Sequence, residues 1–244
     1  MRASAPLNRS GRACCRRSSQ TRAPAPIRFW VPGCSTGQEA YSLAIVVAEF
    51  LEVTHHAPAP IQIFATDLSD TLSLKQAREG LYPGSIEAEV SPERLRRFFS
   101  KEDSHYRVID SLCEMIVFAR QNVAADPPFS KVDLISCRNL LIYLAPALQK
   151  RVITTFHYAL NPGGFLVLGG SETVDSFSTL FAPFDQPNRT YVKKTTATRA
   201  YPYLLADRPV VSAEGSLIVA APAATIAEWQ READRFQQTN ASTG

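Results

Sequence analysis

From Ile27 onward, short apolar runs alternate with stretches in which apolar residues recur every third or fourth position, and the two periods assign different elements. Residues 28–31 form a run stopped at Pro32 and predict a strand. After the glycine-bounded stretch Gly33-Cys34-Ser35-Thr36-Gly37, the spacing of Ala40, Leu43, Ala44, Val47, Phe50 and Leu51 predicts a helix. Residues 61–66 predict a second strand ending on Asp67. Residues 71–78 predict a helix capped by Ser69 or Asp70 and closed by Gly80. The near-continuous apolar runs at 132–137 and 165–168 have the character of strands buried on both faces of a parallel sheet. Between them, 146–160 has helical spacing and Asn161-Pro162-Gly163-Gly164 predicts a turn. Residues 184–185 and 190–192 predict a closing antiparallel hairpin.

Residues 81–120 break this rhythm. Ser91-Pro92-Glu93 opens a short helix through Phe99, with a capping serine, a proline at the first position and an acid in the first turn. Residues 106–109 and 115–119 then predict two short strands. The expected organisation is a doubly wound, Rossmann-like α/β domain over 27–194, with a small inserted β-subdomain at 81–120. Residues 1–26 lack apolar periodicity and read as a disordered Arg/Ser-rich tail. Residues 195–244 read as a Pro/Ala-rich linker with a late helix at 225–236, where Ile226, Trp229, Ala233 and Phe236 share a stripe.

Composition narrows the function. Of 244 residues, 45% are hydrophobic and 20% charged, as in a soluble globular protein. The longest apolar stretches, 40–51 and 217–227, are too short to span a bilayer, and nothing near Met1 forms a signal-peptide core. A cytoplasmic protein without membrane insertion is expected. The net charge of +3 is misleading until it is split: residues 1–26 hold six arginines and no acid, leaving the remainder mildly acidic. That balance argues against a nucleic-acid partner. Cys14 and Cys15 are adjacent, while Cys34, Cys113 and Cys137 stand alone, which argues against a disulfide framework or a zinc site. His55, His56, His105 and His157 join no recognisable nucleophile–base set.

Candidate chemistry begins at Gly33–Gly37. A glycine-containing loop between the first strand and first helix is where open α/β sheets bind ligands, and a helix N-terminus there offers unpaired N–H groups. Asp67, ending the second strand, is placed to bond the two hydroxyls of a ribose. Together these features indicate a nucleoside-containing cofactor; NAD is disfavoured because Gly33–Gly37 lacks the G-x-G-x-x-G arrangement. Asn122, Arg138 and Asn139 add polar groups at strand ends. Tyr143 reads equally well as a core aromatic.

The stretches Trp30-Val31-Pro32-Gly33-Cys34-Ser35-Thr36-Gly37-Gln38-Glu39-Ala40-Tyr41-Ser42, Ala65-Thr66-Asp67-Leu68 and Ser136-Cys137-Arg138-Asn139-Leu140-Leu141-Ile142-Tyr143 resemble the chemotaxis-receptor glutamate O-methyltransferases (CheR). Ser171-Glu172 also fits, and the resemblance runs collinearly over about 27–194. The wording is most like the methyltransferase module of hybrids that join a methylesterase, this module and sensory domains.

The resemblance implies a class I methyltransferase fold and S-adenosyl-L-methionine as cofactor. Gly33 and Cys34 would line the methionine end, Glu39 would help hold the cofactor, and Asp67 would take the ribose hydroxyls. Asn122 with Val123, and Asn139 with Leu140, would hold the adenine and sulfonium side, with Tyr143 near the methyl group as the catalytic residue. Partners would be the cytoplasmic methylation helices of chemotaxis-type receptors, met by Arg94, Arg96 and Arg97 on the helix of the insertion. The short, glycine-free connection after that helix, acidic at Glu102 and Asp103, implies no capture of a receptor C-terminal pentapeptide tether. Two departures stand out. Gln38 replaces a usual glutamate, and neither the helical domain before the first strand nor its Thr-x-Phe-Phe-Arg motif has a match. An alternative reading is therefore a catalytically weakened module that docks on receptors or senses the cofactor.

Overall fold

The computed structural model describes residues 25–54, 59–69 and 72–195. The expected tail at 1–26, all but its last two residues, and the late helix at 225–236 lie outside the described residues.

The chain builds β1 (Ile27–Pro32), α1 (Gln38–Thr54), β2 (Ile61–Asp67) and α2 (Ser73–Glu79) in the rhythm predicted for a doubly wound sheet. After an excursion it adds β6 (Ile116–Arg120), β7 (Val132–Cys137), α5 (Pro146–Ala159), β8 (Leu160–Leu168), β9 (Phe181–Asp185) and β10 (Thr190–Lys193). The seven strands lie in the order β6-β2-β1-β7-β8-β10-β9. Those from β6 to β8 are parallel, and β10 runs antiparallel to both its neighbours. β1 therefore sits between β2 and β7, and the direction of winding reverses at the β1/β7 seam. In such sheets this seam opens a crevice beyond the carboxyl ends of the strands.

Each face of the sheet carries its own core. On one side Val31, Ile63 and Ala65 meet Ala40, Tyr41, Ala44 and Ile45 of α1, together with the insertion. On the other, Trp30, Ile135, Cys137, Leu166 and Leu168 meet Val152, Ile153 and Phe156 of α5. Trp30 is fully buried, edge-on to Phe129 and Phe156, and its indole N–H donates to Thr66 Oγ1 at 3.0 Å.

The excursion contains β3 (Leu81–Pro83), α3 (Pro92–Phe98), β4 (Phe99–Glu102), β5 (His105–Val108) and α4 (Asp110–Cys113). Its three strands form a separate antiparallel sheet in the order β3-β5-β4. The boundary differs from the sequence expectation. Residues 116–120 belong to the main sheet, where Ile63 pairs with Ile116 and Asp67 with Arg120, so the insertion ends before β6. Its buried apolar side chains merge into the core under α1, which is why periodicity alone could not separate the two sheets.

Two other readings change. Phe99, read as the helix end, and residues 100–102, read as part of the connection to Tyr106, form a strand, so β4 and β5 are joined only through Asp103 and Ser104, with Asp103 in the left-handed region. The Asn161–Gly164 stretch is absorbed into β8, whose register shifts against β7 between Val132 and Leu134.

Candidate functional site at the β1/β7 seam

Gly33 and Gly37 have φ of +73° and +89°, a region that side chains with a Cβ enter at a cost. The space at each is taken by protein: a Cβ at Gly33 would meet Leu140 at 3.2 Å, and one at Gly37 would meet Ala77 and Phe118. These glycines therefore let the loop fold against its neighbours, where the sequence suggested close approach to a ligand. The turn is pinned to β2, since the N–H groups of Gly33 and Cys34 both donate to Thr66 O at 2.7 and 3.0 Å. Tyr82 of the insertion holds the same loop by donating to Thr36 O at 2.8 Å.

Cys34 is buried, and burial with the neighbouring Asp67 pushes its thiol up to about 12, so it can offer backbone but not a thiolate. Asp67 reaches across the same crevice edge. Its Oδ2 accepts from Ser35 N–H and its Oδ1 from Ser69 N–H, both at 2.9 Å. Each oxygen keeps a further acceptor position, as two adjacent hydroxyl donors would require.

Glu39, in the first turn of α1, accepts from Ser136 Oγ of β7 at 2.5 Å and so bridges the seam. Desolvation pushes its carboxyl up to about 7, opposed by the Ser136 bond and by Arg138, and reinforced by Glu172. A carboxylate in that state gains most from a cationic neighbour.

Beyond β7, Asn139 adopts a φ of +58°, which asparagine tolerates better than most residues. Its N–H donates to Glu172, and Leu140 behind it packs on Gly33. Asn122 and Val123 lie past β6. Asn122 Oδ1 accepts from Ala124 N–H at 3.0 Å and its own N–H donates to Asp126, a turn in which the side chain is already engaged. Gln121, which sequence reasoning passed over, joins this turn to β2 through its N–H on Asp67 O and donates its side-chain amide to Pro127 O. Tyr143 is 80% exposed at the rim, beside Ile142 at 49%.

The structure brings Gly33, Cys34, Glu39, Asp67, Asn139 and Leu140 together on the loops and element ends at the carboxyl side of β1, β2 and β7. It holds Arg94 and Arg97 elsewhere. Arg94 donates from Nε and Nη2 to Glu49 of α1 at 2.8 and 2.6 Å, and Arg97 donates to Glu52 of the same helix. These two arginines latch α3 onto α1, while Arg96 is exposed. Ser136, Gln121 and Glu172 are site residues that the sequence reading gave no role. Ser136 and Glu172 carried a signal only as members of the stretches that resemble the family, and Gln121 carried none.

No described helix is long and apolar enough to cross a membrane, and among the described residues no His, Cys, Asp or Glu cluster could hold a metal ion. The chain is 39% identical over 168 residues to an uncharacterised 104.1 kDa protein of Rhodobacter capsulatus, covering 67% of this chain and 17% of that protein. It is 35% identical over 159 residues to a chemotaxis protein methyltransferase of Vibrio parahaemolyticus, covering 64% and 58%. Against chemotaxis protein methyltransferase 1 of Pseudomonas aeruginosa it is 36% identical over 155 residues, covering 62% and 56%. The chain thus spans little more than half the length of these two relatives. Residues 1–190 match the family described as "CheR methyltransferase, SAM binding domain". The chain therefore belongs to the CheR methyltransferase family, whose matching domain binds S-adenosylmethionine.

Proposed function

We propose that this domain contributes S-adenosylmethionine-dependent O-methylation of glutamate side chains on chemotaxis-type receptors. The observation that carries the reading is the joint placement of Asp67, Glu39 and the Asn139–Leu140 segment around the seam where the sheet reverses. These residues fit the cofactor chemically. Asp67 retains acceptor capacity for the ribose diol, and Glu39 is a half-buried carboxylate suited to the α-ammonium group. The backbone of Gly33 and Cys34, with Asn139 and Leu140, would form the walls. When bound, the cofactor supplies an electrophilic methyl group on a sulfonium.

The acceptor needs little from the protein by way of proton transfer. A glutamate side chain has a reference pKa near 4.3 and is already a carboxylate at neutral pH. The residues are asked to align two groups at roughly 3 Å and to exclude water. Among the described residues the site holds no activated nucleophile or base pair: the Cys34 thiol is held neutral and Glu39 is bonded to Ser136. Tyr143, exposed at the rim, is assigned to the methyl-transfer side, and Asn122 with Val123 to the adenine end. Arg96 is the free-facing member of the arginine set for an acidic receptor helix, Arg94 and Arg97 being spent on α1. The two-residue β4–β5 turn and the Glu102–Arg107 pair leave the small sheet's outer edge short, in keeping with recognition that uses no C-terminal tether.

A second reading is favoured by one observation. The methyl-transfer side is open, with Tyr143 80% exposed and no described element over it, as a receptor-docking or cofactor-sensing module would allow. Calorimetric titration with S-adenosylmethionine followed by labelled-methyl transfer to a receptor cytoplasmic fragment separates the two. Binding with transfer supports the enzyme, binding without transfer supports the sensing module, and no binding overturns both.

A further inference from the structure

β7 and β8 part company after their last ladder pair, Cys137 with Leu168. Beyond that point the main-chain N–H groups of the two departing loops have no strand partner, and four of them converge on one side chain. Glu172 Oε2 accepts from Asn139 N–H at 3.0 Å and Gly169 N–H at 2.8 Å. Its Oε1 accepts from Leu141 N–H at 2.7 Å and Ile142 N–H at 3.4 Å. The side chain is 4% exposed, and its own N–H donates to Gly169 O, closing the turn that presents it. None of the described lysines or arginines forms an ion pair with it.

We propose that Glu172 is a positioning residue, a carboxylate clamp that takes over where the ladder ends and fixes the Asn139–Leu140 wall against the Gly33 turn. The assignment rests on the reading of Asn139 and Leu140 as part of the cofactor site. Three features support it. Asn139 is held in a left-handed conformation by the bond its N–H makes to the clamp. Leu140, the next residue, is the side chain that fills the space beside Gly33, so the placement of this segment sets the gap between the loops after β1 and β7. Gly169 leaves no room for a side chain, since a Cβ there would lie 2.7 Å from both Asn139 Oδ1 and Glu172 Oε2. Four donors facing one group also explain why the position carries an acid and not an amide. A carboxylate accepts at every position, whereas an amide would turn its own N–H₂ toward two of the four.

The test uses the full chain with Glu172→Gln, and Gly169→Ala as a second variant that crowds the same carboxylate. Amide hydrogen exchange without cofactor comes first. The N–H groups of Asn139 and Leu141 should exchange at least tenfold faster in E172Q, with Ile135 and Leu166 in the neighbouring strands unchanged. Calorimetry with S-adenosylhomocysteine should show at least tenfold weaker binding in E172Q or G169A. The double variant E172Q/N139A should bind no worse than the weaker single, because both act on one segment. A purely structural role would give additive losses, or faster exchange with unaltered affinity, and either overturns the clamp. Asp67→Ala is the control: if it loses affinity while E172Q and G169A do not, the clamp is wrong. If neither it nor the clamp variants lose affinity, the cofactor-site reading beneath the clamp is wrong.

Discussion

Asp67 and Glu39 are both carboxylates on the same crevice, yet their surroundings give them different work. Asp67 accepts from two backbone N–H groups and stays open to further donors. Losing hydrogen bonds to a charged acceptor costs about 1.5–3 kcal/mol each. Asp67→Ala is therefore expected to weaken S-adenosylhomocysteine binding by at least tenfold in a calorimetric titration, with the loosening of Ser35 and Ser69 adding to the loss. Glu39 is instead starved of water, and its carboxyl is pushed up to about 7. The folded chain then binds this proton more tightly than the unfolded chain does. Its contribution to stability is present at low pH and is lost as pH rises from the ordinary carboxylate range through about 7. Glu39→Gln should thus raise the melting temperature of the cofactor-free chain at pH 8 and leave it nearly unchanged at pH 4. Cofactor binding should run the other way. A cationic ligand favours the ionised form, so wild-type affinity should climb between pH 6 and 8 and level off above. The glutamine variant should bind more weakly and lose that pH dependence. A wild-type affinity flat across this range would sink the assignment of Glu39.

At the scale of elements, α3 is a short helix made by a strong local signal and then recruited by tertiary charge. Ser91 Oγ accepts from Arg94 N–H, Pro92 stands at the helix start, and Leu95 and Phe98 bury the inner face. Its arginines would be equally at home on an open surface, but Glu49 and Glu52, one helical turn apart on α1, capture two of them. Both pairs are partly solvated, so the latch should be salt-sensitive and modest in energy. Arg94→Ala is expected to lower the melting temperature slightly, by an amount that shrinks in high salt, without changing receptor affinity. Arg96→Ala should do the reverse, weakening pull-down by a receptor cytoplasmic fragment while leaving melting unchanged. The insertion also reaches the site directly through Tyr82. Tyr82→Phe removes its bond to Thr36 O, a loss of about 1 kcal/mol. It should show as lower cofactor affinity together with faster amide exchange at Gly37 and Tyr41, the residues that follow the held loop.

Across the whole molecule, the two faces of the sheet are served unequally. The register aligns Trp30, Ile135, Leu166 and Tyr191 in one row over the α5 core, and all four are buried. One residue away, Phe29, Leu134, Phe165, Val192 and Ala182 align on the opposite face. There the row starts in the core under α1 but ends only partly covered, with Phe184 68% exposed against Phe165 at a ring distance of 5.1 Å. Stability should therefore be concentrated on the α5 side. Trp30→Phe leaves Thr66 Oγ1 without its indole donor and opens space between Phe129 and Phe156, a loss of roughly 2 kcal/mol in chemical denaturation. Phe165→Ser, on the thinly covered side, should cost clearly less in the same measurement.

The hydrophobic periods by themselves determined the order of strands and helices of the main sheet, because each element advertises its buried face through local spacing. They also placed Gly33, Asp67 and Asn139 at strand ends, the positions where a doubly wound sheet gathers its ligand groups, while Glu39 was singled out only by the family resemblance. Local spacing could not say which strands pair. Residues 116–120 read as part of the insertion until Ile63 and Ile116 proved to be neighbours in the main sheet, and 100–102 read as part of a connection until β5 supplied their partners. Nor could it assign polar side chains whose partners lie far along the chain. Arg94 and Arg97 looked ready for an external acid, and only the packing of α3 on α1 showed their acids to be internal. Glu172 looked like a motif letter, and only the divergence of β7 from β8 turned it into the acceptor for four backbone donors. The physical reason is common to all of these. Burial periodicity is written into a few consecutive residues, whereas hydrogen bonds and ion pairs are settled between residues that meet only after the chain has folded.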